Sequence, residues 1–145
     1  GRYTDAIAAL EEALQWLRAP DMMLAVLPAK STLLLLLLTK SLGLTYAQMA
    51  ADGVAAYRHG LTQNEAFDKA IAAYLEILPL SRTQEHATWD IAAYIGQAYQ
   101  MKGEYTQAIH YLQESVPLID TEKNLAAVHF TISQCHKALS HVSSA

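Results

Sequence analysis

His129, Cys135, His136 and His141 stand close together near the end of the chain, and imidazole and thiol side chains are common ligands of transition metals. Their spacing argues against a shared ion. His129 and His136 are seven residues apart, about 10 Å along a helix rising ~1.5 Å per residue. His136 and His141, five apart, leave a helix in different directions. Cys135 and His136 also fail as nucleophile and base. Neighbours on a helix diverge by about 100°, so the hydrogen bond such a pair requires cannot form. A packed thiol and helix-face histidines are the expected roles. His129 and His136 are expected to face a partner helix, so that charging them near about pH 6 would loosen the C-terminal end. Glu11, Glu12, Glu104 and Glu114 read as solvated helix faces rather than acid–base pairs. No glycine-rich phosphate loop is present. The expectation is therefore no enzyme, no metal and no cofactor.

The elements that position these residues announce themselves by repetition. Gly1-Arg-Tyr3-Thr-Asp-Ala6-Ile7-Ala-Ala-Leu10-Glu-Glu recurs as Gly103-Glu-Tyr105-Thr-Gln-Ala108-Ile109-His-Tyr-Leu112-Gln-Glu. A looser copy reads Phe67-Asp-Lys-Ala70-Ile71-Ala-Ala-Tyr74-Leu-Glu-Ile77. Each has an aromatic, a small residue three later and a large residue four after that, which places all three on one helix face. Recurring helical units imply a stacked array whose role is surface rather than chemistry.

The chain has 145 residues, enough for one domain with a sizeable core. It is 52% hydrophobic and 17% charged, with mean hydropathy +0.10. Net charge is −4, pI is about 5.8 and no basic stripe is visible, which speaks against direct nucleic-acid contact. One cysteine excludes an internal disulfide framework and fits a reducing, cytoplasmic setting. The sequence opens inside the repeat phrase without an initiator methionine, so it is expected to be a piece of a longer protein. Met22 to Leu42 must be tested as a membrane span, since it contains six consecutive leucines. Pro28, Lys30, Ser31, Thr32 and Lys40 interrupt it, so a buried helix with neighbours on more than one side is expected, and no membrane.

Breakers and caps divide the chain into about seven helices. The first is expected over Tyr3 to Leu17. Asp21 caps a short turn through Leu27, and Pro28 opens a helix that ends at Gly43. Thr45 caps the next, to His59, which Gly60 closes. Thr62-Gln-Asn-Glu65 has capping-box spacing and opens a helix that Pro79 stops at Leu78. Thr83 caps the helix that Gly103 closes. Another runs from Glu104 to Ile119, its last turn bent by Pro117. Asp120 or Thr121 caps a final helix to Ser140, and Ser143 to Ala145 form a frayed tail. No stretch alternates with a two-residue period, so the chain is expected to be all-α.

The stretch Trp89 to Glu122 resembles a tetratricopeptide repeat, a pair of antiparallel helices of about 34 residues. Ile95-Gly96-Gln-Ala-Tyr99 is similar to its first-helix core. Gly103, Tyr105, Ala108 and Leu112 are similar to its turn and second helix, and Ile132 to His136 echo Ile95 to Tyr99. The resemblance covers Gly1 to Trp16 and Ala87 to Ala138. It departs at Ser115, where alanine is usual, and in the leucine helix, so an irregularity is expected between residues 20 and 43.

The resemblance implies a single domain over 1–145, a right-handed α-α superhelix, and a concave face lined by first helices that holds a partner's peptide or helix. Carried over residue by residue, that face comprises Asp90, Ala93, Gln97, Gln100 and Met101, then Ala127, Phe130, Gln134, Lys137 and Ala138. Gln97 and Gln134 would hydrogen-bond a peptide backbone, and Met101 and Phe130 would receive apolar side chains. The carboxylate clamp of one subgroup is not expected, because only Lys137 is basic there. Trp16 and Trp89 are expected in the core. The open ends of such a fragment would expose Tyr3, Ile7, Leu10 and Leu14 and favour a homodimer. The leading expectation is a protein-interaction scaffold. The alternative is a ligand- or peptide-sensing domain of a larger regulatory protein.

Overall fold

The computed structural model describes the backbone of residues 1–18, 28–83 and 87–144, with side chains for all of these except 28–31 and 142–144. The expected cap at Asp21 and turn through Leu27 lie outside the described residues. All described regular structure is helical: α1 (Arg2–Arg18), α2 (Pro28–Ala51), α3 (Gly53–Arg58), α4 (Gln63–Ser81), α5 (Asp90–Met101), α6 (Tyr105–Ser115), a 3₁₀ turn (Val116–Leu118) and α7 (Glu122–Ser144). The chain divides into two compact units, Gly1–Ile77 and Leu78–Ala145.

In the first unit α1 lies against α2. The α1 stripe is therefore covered rather than open: Ile7 and Leu14 are buried, and Tyr3 and Leu10 are half-buried. This corrects the expected exposed terminal face. The second correction is at Gly43, which ends no helix. α2 runs straight through it, and a Cβ there would stand 2.5 Å from Cε1 of Tyr74 on α4. The glycine admits a buried ring rather than a left-handed turn. Thr45 is likewise interior, its hydroxyl donating to the Ser41 carbonyl at 2.7 Å. The break comes at Asp52, whose carboxylate accepts from the Ala55 N–H at 3.3 Å and caps α3.

Thr62 and Glu65 form the expected capping box. The Glu65 N–H donates to Thr62 Oγ1 at 3.0 Å, and the Thr62 N–H to Glu65 Oε1 at 3.3 Å. Pro79, however, does not stop α4, which continues to Ser81. Its last turn closes through three-residue bonds, Arg82 N–H to Pro79 O and Thr83 N–H to Leu80 O. The hydroxyls of Ser81 and Thr83 add bonds to Leu78 O and Leu80 O, each at 2.7 Å. Thr83 thus closes α4 instead of capping the helix that follows.

Within the leucine run Leu36 is buried, while Leu33, Leu34 and Leu37 are between 42% and 47% exposed. The expected cover on more than one side is incomplete at this end of α2. By length and composition Thr32–Ala51 could cross a membrane, and 33% of its 18-residue apolar window is buried.

Tyr46 ties α2 to α1, its hydroxyl donating to Glu11 Oε1 at 3.2 Å. Burial, with the Glu11 charge and this hydrogen bond adding to it, pushes the phenol up to about 12. The folded state therefore favours the neutral ring. That contribution is whole below the ordinary phenol value of about 10 and is lost as pH rises from there towards 12. Urea midpoints should fall between pH 9 and pH 11.5 more steeply for the parent than for Tyr46→Phe, and parallel falls would refute the assignment.

In the second unit α5 and α6 fold back on each other across Gly103, whose φ of +82° suits glycine. Their crossing is set by Gly96. A Cβ at that position would lie 2.6 Å from Leu112 Cγ and 3.0 Å from the Ala108 carbonyl oxygen. Ala93, Ala108, Ile109 and Leu112 join Val128, Ile132 and Cys135 of α7 in one core. Ser115 is fully buried, but its hydroxyl donates to Leu112 O at 2.6 Å, so it replaces alanine without an orphaned group. α6 gives way at Val116–Leu118 to a 3₁₀ turn containing Pro117. α5 opens at Asp90, later than the expected Thr83, and α7 runs through Ser143 and Ser144, where a frayed tail was expected. Thr121 caps α7, accepting from the Asn124 N–H at 3.4 Å.

Candidate functional site

α7 is the element that carries the site. One stripe of it, Val128, Ile132 and Cys135, is committed to the core. A helix so anchored presents its other residues to solvent at fixed spacing. Phe130, Ser133, Gln134, Lys137, Ala138 and His141 line a shallow depression of about 470 Å³ on that outer side. Their intervals of three, four, seven, eight and eleven residues from Phe130 are those of one helix face. Phe130 is 64% exposed, large for an aromatic that no core requires. Gln134 and Lys137 are exposed beside it. Its lining combines a phenyl ring and a methyl group with an amide, an ammonium group, a hydroxyl and an imidazole. Such a surface can bury apolar groups and donate hydrogen bonds, and it holds no carboxylate base.

Three of the expected partner-binding residues, Phe130, Gln134 and Lys137, thus come together. Those on α5 are placed differently. Gln97 and Met101 are exposed, Gln100 is half-buried, and Asp90 accepts from the Thr88 hydroxyl at 2.7 Å as α5 begins. Ala93, expected on the same face, belongs to the core and is 2% exposed. The reason is packing: Ile91, Ala92, Ala93, Ile95, Gly96 and Ala98 are all buried, so α5 keeps little free surface. Ala127 is exposed on α7 and Ala138 lies in the depression. Sequence reasoning missed Ser133 and His141, although their spacing from Phe130 was a sufficient signal.

The candidate chemical groups are dispersed. Cys135 is fully buried and burial pushes its thiol up, which suits packing rather than nucleophilic attack. His129 and His136 are exposed, contrary to the expected partner-facing positions, so the proposed loosening by their protonation loses its basis. Among the described residues no group of three His, Cys, Asp or Glu could hold a metal ion. Glu114 pairs with Arg82, and Glu104 lies 3.4 Å from Lys102. Trp89 packs against the core, but Trp16, also expected inside, is 60% exposed.

A second concavity, about 360 Å³, is lined by Gly53, Tyr57, Gly60, Leu61, Thr62, Gln63 and Glu65. Tyr57 is 81% exposed there. No protein-family model, no curated protein and no solved structure matches this chain.

Proposed function

We propose that this chain is a non-catalytic protein-interaction module that takes up a partner's peptide or helix on the outer face of α7. The observation that carries the reading is the convergence of Phe130, Gln134 and Lys137 on one depression with an exposed aromatic at its head. Apolar anchors flanked by hydrogen-bonding side chains are the usual make-up of a helix-in-groove or extended-peptide surface.

The tetratricopeptide reading belongs to the same proposal. In its support, α5 and α6 form a helical pair around a glycine contact, and α7 follows in sequence and packs against α6. Gly1 and Gly103, which open the two closest copies of the repeat phrase, stand three periods of about 34 residues apart. The solenoid and the scaffold role follow from this reading, and the single cysteine supports a reducing, cytoplasmic setting.

A displayed peptide library selected against the full chain and counter-screened on Phe130→Ala tests it. Selected peptides should share apolar residues at helical spacing and lose at least about tenfold in affinity on the variant, as truncation of an interface anchor does. Peptides that bind parent and variant equally would remove the α7 face from the account.

A further inference from the structure

We propose that the segment received by the α7 face is acidic as well as apolar, with Asp or Glu placed to meet Lys137 and His141 when a large apolar residue covers Phe130. This rests on the reading of α7 given above and specifies the chemistry of its partner.

The distribution of charge along the chain supports it. The chain as a whole carries 14 acidic against 10 basic residues. From Lys123 to Ala145 it carries no Asp or Glu at all, while Lys123, Lys137 and three histidines fall there. Of these, Lys137 and His141 line the depression. Among carboxylates of other elements, Glu114 pairs with Arg82, Glu104 with Lys102 and Asp90 accepts from the Thr88 hydroxyl, while Glu122 opens α7 two turns before Phe130 and does not line the depression. Lys137 forms no ion pair with any described residue. An ammonium group two helical turns from an exposed phenyl ring, with amide and hydroxyl groups between them, complements a segment that carries a carboxylate two turns from an apolar side chain.

Spacing sets the ligand. Phe130 and Lys137 lie seven residues apart on one face, about 10 Å along the axis. A ligand helix would match them with an apolar residue and a carboxylate seven positions apart. An extended ligand covers that distance in about three steps of ~3.3 Å, and side chains three apart leave a strand on opposite faces, so the helical ligand is the one that fits. A basic segment finds no carboxylate on this face to pair with.

The test is fluorescence anisotropy of the full chain with three labelled 15-residue peptides. The first is built of Leu, Ala and Glu, with Leu at i and i+3 and Glu at i+7. The others carry Gln or Lys in place of Glu. The expected order is Glu tighter than Gln by about two- to fivefold, the range of an exposed ion pair, and Lys weakest. Lys137→Glu should reverse the order, and added salt should shrink it. Lys137→Gln, which introduces no repulsion, should bring the Glu and Gln peptides level. Equal binding of the Glu and Gln peptides to the parent would overturn the acidic preference and leave the apolar site standing. Binding of none of the three, or binding indifferent to Phe130→Ala, would overturn the site itself.

Discussion

Gly96→Ala should lower the unfolding free energy by about 1–2 kcal/mol, although alanine is the better helix former. The propensity gain is roughly 0.8–1 kcal/mol. Against it, the new methyl would stand 2.6 Å from Leu112 Cγ and 3.0 Å from the Ala108 carbonyl oxygen. Leu112 is 1% exposed and Ala108 fully buried, so neither atom can withdraw without moving α6. Overpacking of this kind costs about 1–3 kcal/mol, more where backbone must shift. Leu112→Ala alone should cost about 2–5 kcal/mol through the cavity it leaves. The two changes touch, so they should not add. In the Leu112→Ala background the alanine at 96 meets only the carbonyl oxygen, and its penalty should shrink or change sign. Chemical denaturation of the four proteins in this cycle measures the coupling. Simple additivity would mean that the α5–α6 crossing is looser than described.

Gly43→Ala should be at least as damaging in the first unit. Its Cβ would fall 2.5, 2.8 and 2.9 Å from Cε1, Cδ1 and Cζ of Tyr74, a ring only 1% exposed. Three atoms of one buried ring cannot be avoided by a small rotation. A net loss of about 1–2 kcal/mol is expected after the helix-propensity gain is set against it. Tyr74→Leu in the same chain should relieve the clash, at the cost of the aromatic packing. Thermal melts would show a lower midpoint for Gly43→Ala and partial recovery in the double variant. An unchanged midpoint for Gly43→Ala would place Tyr74 elsewhere.

These two glycines explain what could be read from the residues alone. Gly96 sits between Ile95 and Tyr99 in a pattern of large and small residues, and its neighbours gave away its purpose. Gly43 follows a leucine run and precedes Thr45, a sequence that imitates a helix end and a new cap. Nothing local distinguishes a glycine that ends a helix from one that admits a ring from thirty residues later. The tertiary partner decides, and it is invisible until the fold is known. Pro79 misled for a related reason. The serine and threonine after it supply hydroxyl bonds that carry the helix another turn. The Thr62–Glu65 box, by contrast, is complete within four residues, and so it was legible.

The candidate site divides in the same way. On α7 the exposed face was readable because the core stripe of Val128, Ile132 and Cys135 is narrow and regular. On α5 the same template failed at Ala93, since that helix is buried on most sides. The exposure of Trp16, Leu33, Leu34 and Leu37 was also hidden, because apolar residues do not declare which of them a fold will leave uncovered.

The central claim is that α7 receives a partner segment on the face that begins at Phe130. Amide chemical-shift mapping of the full chain, titrated with the Leu-, Ala- and Glu-containing peptide, tests it most directly. The account predicts saturable shifts centred on Phe130, Ser133, Gln134, Lys137 and His141, abolished by Phe130→Ala. Shifts centred instead on Trp16 and Leu33 to Leu37, or on Val54 and Tyr57, would contradict it.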